Sequence, residues 1–277
     1  MVVHQQRRGG RDRGPVVAVP LTAAATVLAV TAIAGCGESE PSAADGTAAV
    51  RAAADVLARS GSARARTAME MATGGTRVTI RGEGGVDFRN RMGQLLVMLP
   101  ADVTGKPGHR PITELLTPGA LYMKNRGAGV PEDKWVRVDT TTLADGNLVT
   151  GGATDPLAAA ELLRAADGVT YVGETELSGT KVRHYRGTTD IARAARSAPA
   201  HLRGALEAAA KGFSKDTVPF DAYLDEDGRL RKVRHRFSYV NDGPIDVSST
   251  TLLYGFGTPV TVVLPDGADI YAGKIAE

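Results

Sequence analysis

From residue 63 onward the apolar side chains recur at every second position in run after run, and that period limits what this chain can fold into. Ala63, Ala65, Thr67, Met69 and Met71 alternate with Arg64, Arg66, Ala68 and Glu70. Val78, Ile80, Gly82, Gly84, Val86 and Phe88 then continue on one parity, with Thr79, Arg81, Glu83 and Asp87 on the other. A period of two puts one set of side chains on each face of a strand, one face buried and one wet. Further runs span residues 94–99, stopped by Pro100, then 112–116 and 120–124 around Pro118-Gly119, and 134–139. Others span 169–177 and 181–188 around Ser178-Gly179, 218–224 and 230–240 around the turn at 225–228, 247–254, and 258–264. Roughly ten or eleven strands joined by hairpin-length links predict a largely antiparallel sheet. Gly82, Gly84 and Gly85 allow the bends that a strongly curved sheet needs.

Three stretches change the period. Residues 47–60 predict a helix, capped by Thr47, with Val50, Ala54 and Leu57 on one face. Asp155-Pro156 opens a second helix through Ala166, with Asp as cap and Pro in the first turn. A third helical stretch, residues 190–213, is interrupted near Pro199, and its stripe is Leu202, Leu206, Ala209 and Phe213. The fold class is therefore α+β.

The N-terminus follows a different plan. Arg7, Arg8, Arg11 and Arg13 precede an uncharged run from Gly14 to Gly37. A basic start, an apolar run and small residues before a break form a secretory signal. The break falls at Ile33-Ala34-Gly35-Cys36, which holds the single cysteine of the chain. An aliphatic residue, two small residues and Cys resemble a bacterial lipobox. That resemblance implies a diacylglycerol on the Cys36 thiol, cleavage before Cys36 and acylation of the new amino terminus. An uncleaved anchor, which the run is long enough to form, and a plain signal with an incidental cysteine are the competing readings. Arg7-Arg8 also allows twin-arginine export, although Gly9 and Gly10 fit that pattern poorly. The expected organisation is a signal peptide over 1–35, an acylated Cys36 with a flexible tether to Gly46, and a single domain over 47–277. The tether is small, acidic and polar, with a reach of about 15–20 Å. The expected location is the outer face of the plasma membrane.

Removing residues 1–35 takes away four arginines and one aspartate, leaving 29 basic and 30 acidic residues of the original 33 and 31. The basicity belongs to the export signal, and the remainder lacks the strongly basic balance of a nucleic-acid-binding domain. With one Cys no intrachain disulfide can form. Aromatics are only 5% of the chain, so aliphatic side chains must build most of the core.

Several stretches resemble the mycobacterial LppX/LprG lipoprotein family and its actinobacterial relatives. They are Gly84-Gly85-Val86-Asp87-Phe88, Leu121-Tyr122-Met123, Lys134-Trp135-Val136, and Gly173-Glu174 through Tyr185-Arg186-Gly187. The most specific runs from Val218 to Val233, VPFDAYLDEDGRLRKV, and Tyr254-Gly255-Phe256-Gly257-Thr258-Pro259-Val260 follows in the expected place. The resemblance covers about the whole chain after the signal. It implies a half-barrel sheet curled around helices, similar to the LolA and LolB carriers, with a hydrophobic cavity on the concave side. It also implies an acylated lipid or glycolipid as cargo, for transfer or display in the cell envelope. No distinct entrance-loop motif is present to define the ligand. The residues expected to line such a cavity are Val78, Ile80, Leu121, Met123, Leu206, Phe213, Val218 and Phe220. Pattern alone allows the same residues to pack a dry core, which would leave an envelope protein-binding module without lipid cargo.

Catalytic and cofactor signatures are missing. There is no G-x-S-x-G elbow, and His109, His184, His201 and His235 are scattered without H-E-x-x-H. The expectation is no enzyme, no metal and no cofactor. Asp225-x-Asp227-Gly228 could begin a calcium loop, but an EF-hand needs Glu where Arg234 stands, so a plain hairpin turn is expected. Arg229, Arg231, Lys232, Arg234 and Arg236 form a basic ribbon that could meet anionic head groups. The preferred reading is a solvated strand whose charges discourage edge pairing.

Overall fold

The computed structural model describes residues 42–73, 76–100, 110–127, 129–149, 153–240 and 244–273. The stretch from Pro15 to Cys36, tether residues 37–41 and the Gly74-Gly75 turn lie outside them.

The described chain opens with helix α1, Ala43–Arg59. Ser42 caps it, its hydroxyl accepting from the Asp45 amide at 3.2 Å and donating to the Asp45 carboxylate at 2.7 Å. The helix therefore starts ahead of Thr47, whose hydroxyl instead donates to the Ala43 carbonyl inside it. The Ser42–Asp45 pair resembles a capping box and outcompetes Thr47, because Ala43 and Ala44 then enter a helix that favours them. Residues 43–46, expected to end the tether, are the first turn. Gly46, Val50, Ala53, Ala54 and Leu57 form the buried face. Gly46 has a use: a Cβ there would come within 3.2 Å of the Tyr185 ring.

Six strands follow: β1 Ser62–Thr73, β2 Thr76–Asp87, β3 Met92–Met98, β4 Ile112–Thr117, β5 Ala120–Lys124 and β6 Trp135–Asp139. A 3-10 turn, Thr140–Thr142, leads through irregular chain to α2, Pro156–Leu162, whose cap Asp155 accepts from the Leu157 amide at 2.8 Å. Leu163–Ala165 continues as a 3-10 turn, so the α-helix ends before Ala166. Then come β7 Ala166–Leu177, β8 Thr180–Asp190, α3 Ile191–Ser197, α4 Ala200–Gly212, β9 Thr217–Leu224, β10 Leu230–Val240 and β11 Pro244–Tyr254. The interruption at Pro199 divides the last helical stretch into α3 and α4.

All eleven strands form one antiparallel sheet in the order β6-β5-β4-β3-β2-β1-β11-β10-β9-β8-β7. The fold is α+β with a curled sheet that stays open, since β6 and β7 have no pairing with each other. Helix α1 packs on β7 and reaches β9 and β10, while α2 lies near β10 and α3 near β8. Ala153 and Thr154, just ahead of α2, lie against the middle of the sheet. There Ala153 approaches the Gly82 backbone, and the Thr154 and Ser249 hydroxyls are hydrogen-bonded at 2.5 Å. Among the described residues no helix is long and apolar enough to cross a membrane.

Two expectations about strands are corrected. Residues 258–264 join no ladder, although their alternation resembles a strand. Val260 instead lies against Gly85 on the outer face, and the tail reaches β6 through a parallel bridge between Trp135 and Ile270. A segment that crosses strands cannot pair along them, and Pro259 and Pro265 withhold two donors. The basic ribbon, in turn, is on β10, which lies between β9 and β11, so its charges protect no edge.

Candidate functional site

The inner face of the sheet is assembled from cross-strand rows. One row runs Ile80–Met69–Ser249–His235–Phe220 across β2, β1, β11, β10 and β9. The next runs Val97–Gly82–Thr67–Thr251–Val233–Ala222. A third runs Leu253–Ala65–Gly84–Leu95–Glu114–Met123–Val136 from β11 to β6. Directly opposed side chains in such rows pack on each other, so each row is a packing unit.

The eight expected cavity residues all belong to the single interior cluster. Ile80, Leu121, Met123, Leu206, Phe213, Val218 and Phe220 are buried within it, with exposures of 0–8%. Val78 packs against its margin. Phe213 stacks on Phe237 at 5.0 Å, tying α4 to β10. A groove of about 470 Å³ opens beside this cluster, lined by Met71, Phe237 and Val247 of the interior and by Glu70, Arg77 and Arg236 among others.

Polar groups on the inner side are few and unusual. Thr67 Oγ1, Thr251 Oγ1, Asn147 Oδ1, the Tyr185 hydroxyl, His235 Nε2 and both carboxylate oxygens of Glu114 are buried without a hydrogen-bond partner. Burial pushes His235 down to about 3, so its imidazole is neutral between Phe220 and Phe237. Glu114 is fully buried, and burial pushes its carboxyl up to about 8, with the charge of Arg126 pulling weakly the other way. Sequence reasoning placed Glu114 on a strand without singling it out. The signal was available: Ile112, Glu114 and Leu116 share a parity, and Glu114 interrupts an otherwise apolar face.

The outer face is charged and largely self-neutralised. Asp221 on β9 meets His184 Nε2 at 2.8 Å, Arg186 Nε at 3.1 Å and an Arg236 guanidinium nitrogen at 2.5 Å. Burial pushes its carboxyl up, but the hydrogen bonds from His184, Arg236 and Arg186 outweigh that and hold it below the usual range. Arg234 donates to the Ser248 hydroxyl at 2.6 Å, and the Lys232 ammonium lies 5.0 Å from the Tyr223 ring centre. Arg229 and Arg231 sit at the turn rather than on the open face. Asp225 is 1% exposed and accepts from the Arg229 amide and Nε, both at 2.9 Å, with Arg231 at 3.5 Å. Its carboxylate is thus occupied by arginine. Gly228, at φ +74°, closes the turn through its amide to the Asp225 carbonyl at 3.0 Å. Among the described residues no three His, Cys, Asp or Glu side chains cluster as metal ligands.

No protein-family model matches this chain, and no curated protein matches it in sequence. Solved structures do. The chain is similar to the complex of MucA and MucB from Pseudomonas aeruginosa, 14% identical over 84% of this chain and 63% of that one, with a TM-score of 0.32. It is similar to LprF from Mycobacterium bovis, 15% identical over 81% of this chain and 98% of that one, with a TM-score of 0.45. It is also similar to the lipoprotein LppX from Mycobacterium tuberculosis, 11% identical over 79% of this chain and 98% of that one, with a TM-score of 0.47. LppX, a lipoprotein, is of the group that the sequence motifs resemble.

Proposed function

We propose that this protein is an envelope lipoprotein, held at the outer face of the plasma membrane by acyl groups on Cys36. Its curled sheet takes an acylated lipid or glycolipid against the concave face, for transfer or display. The observation that carries this reading is the inner face itself. It is largely apolar from β6 to β8, interrupted by a few buried polar side chains, and among the described residues Ala153 and Thr154 meet its centre. The role is binding rather than catalysis.

One observation favours the alternative, an envelope protein-binding module with a closed core. Seven of the eight expected cavity residues are packed within the interior cluster and Val78 packs against it, as they would in a protein without cargo. Native mass spectrometry of residues 37–277, purified from a lipid-containing host, separates the two. The carrier should retain a lipid mass that Ile80→Trp removes. If no lipid co-purifies, and Ile80→Trp costs about 1–3 kcal/mol through overpacking, the closed-core reading replaces it.

A further inference from the structure

Glu114 sits within an apolar row and, among the described residues, belongs to no ion pair or hydrogen bond. Its neighbours across the sheet are Leu95 on β3 and Met123 on β5, with Val136 one strand further on. Ile112 and Leu116 flank it along β4 on the same face. Both oxygens are buried and unpartnered. A buried polar group without a partner is costly, and a fold with no use for it would lose nothing by replacing it with Leu. Arg126 is the one charged group whose field it feels, and that field leaves the burial effect dominant.

We propose that Glu114 is the polar recognition point of the interior, binding as a neutral acid a cargo group that both donates and accepts a hydrogen bond. The proposal rests on the lipid-binding reading and adds to it a class of cargo: an acyl chain carrying an amide or a hydroxyl. A protonated carboxyl offers one O–H donor and a carbonyl acceptor. An amide or hydroxyl satisfies both at once, whereas an ester can only accept. A charged head group is the poorer match, because its own desolvation here would be uncompensated. The acyl chain would lie along Leu95, Met123 and Val136, the side chains opposed to Glu114.

Burial sets the working pH. A carboxyl held at about 8 keeps its proton at neutral pH and gives it up above that, so recognition weakens as pH rises through about 8.

The test uses residues 37–277, which contain the whole of the compact unit Glu40–Glu277. Binding of oleamide, methyl oleate and 1-heptadecene is measured by equilibrium dialysis at pH 6.5 and pH 9.5. At pH 6.5 oleamide should bind about tenfold more tightly than methyl oleate, the scale of one buried hydrogen bond. Glu114→Gln, which keeps a donor and an acceptor but cannot ionise, should retain the preference at both pH values. The unsubstituted chain should lose it at pH 9.5. Glu114→Leu should melt at the same temperature or higher and bind the two ligands alike. Equal binding of oleamide and methyl oleate by the unsubstituted chain overturns the proposal and leaves lipid binding standing, with a buried water as the partner of Glu114. A preference that survives in Glu114→Leu overturns it too. If none of the three ligands binds to the folded chain, lipid binding fails and the proposal with it.

Discussion

His235 shows how one buried side chain makes stability depend on pH. Its ring is 1% exposed in the row Ser249–His235–Phe220, and burial holds it neutral down to about 3. In the unfolded chain the same imidazole takes a proton below its ordinary 6.5. Between those values the unfolded state binds more protons, so stability falls as pH drops from about 6.5 towards 3. Urea titrations at pH 7 and pH 4.5 should show a loss of about 2 kcal/mol attributable to this group. His235→Phe, which continues the Phe220 and Phe237 packing, should remove that part of the acid sensitivity. An unchanged loss in the variant would mean that the imidazole is solvated. Glu114 works in the opposite sense: its folded-state carboxyl lies above the unfolded one, so it lowers stability as pH rises from about 4.5 to 8. The two groups were unequally legible. His235 lies on the inner parity of its strand and is readable as a core residue. The missing partners of Glu114 depend on what β3 and β5 place opposite it, which no local pattern records.

The elements show the same division. Caps are local, so Asp155 and the break at Pro199 could be read from a few residues each. Helix α1 shows where local reading chose the wrong candidate, since Thr47 and Ser42 are both acceptable caps and the latter has Asp45 three residues on. Ser42→Ala should cost about 1 kcal/mol and raise the hydrogen-exchange rate of the Asp45 amide, while the cap-free Thr47→Ala should change neither much. Comparable losses in the two variants would argue that the helix starts later. Residues 258–264 make the complementary case. Their alternation is that of a strand, but both sheet edges are elsewhere, and the segment is used as a strap over the outer face. On that side Gly85, Gln94, Leu115 and Tyr122 stand in one row, which explains why Leu115 is buried although its neighbours Glu114 and Leu116 face inward.

For the whole molecule the governing question is whether Cys36 tethers the domain to a membrane. If Cys36 carries the anchor, Cys36→Ala should abolish incorporation of labelled fatty acid and leave the precursor unprocessed. Label in the variant would place the acyl group elsewhere. Two or three chains give stable anchoring where one gives only marginal binding. The sequence by itself determined the parts whose physics is local. Those are the period-two runs, the turns at Pro118-Gly119, Ser178-Gly179 and Gly228, and the α+β class with an antiparallel sheet. Side-chain parity, proline and glycine act within a few residues, which is why these were readable. Only the tertiary structure decided that β1 pairs with β11, closing the first strand onto the last and setting the order of the sheet. It also decided that the expected cavity residues pack together, that Asp221 gathers His184, Arg186 and Arg236, and that Glu114 meets no partner. Each of these turns on which distant segments come to lie side by side, and burial and pairing exist only once they have done so.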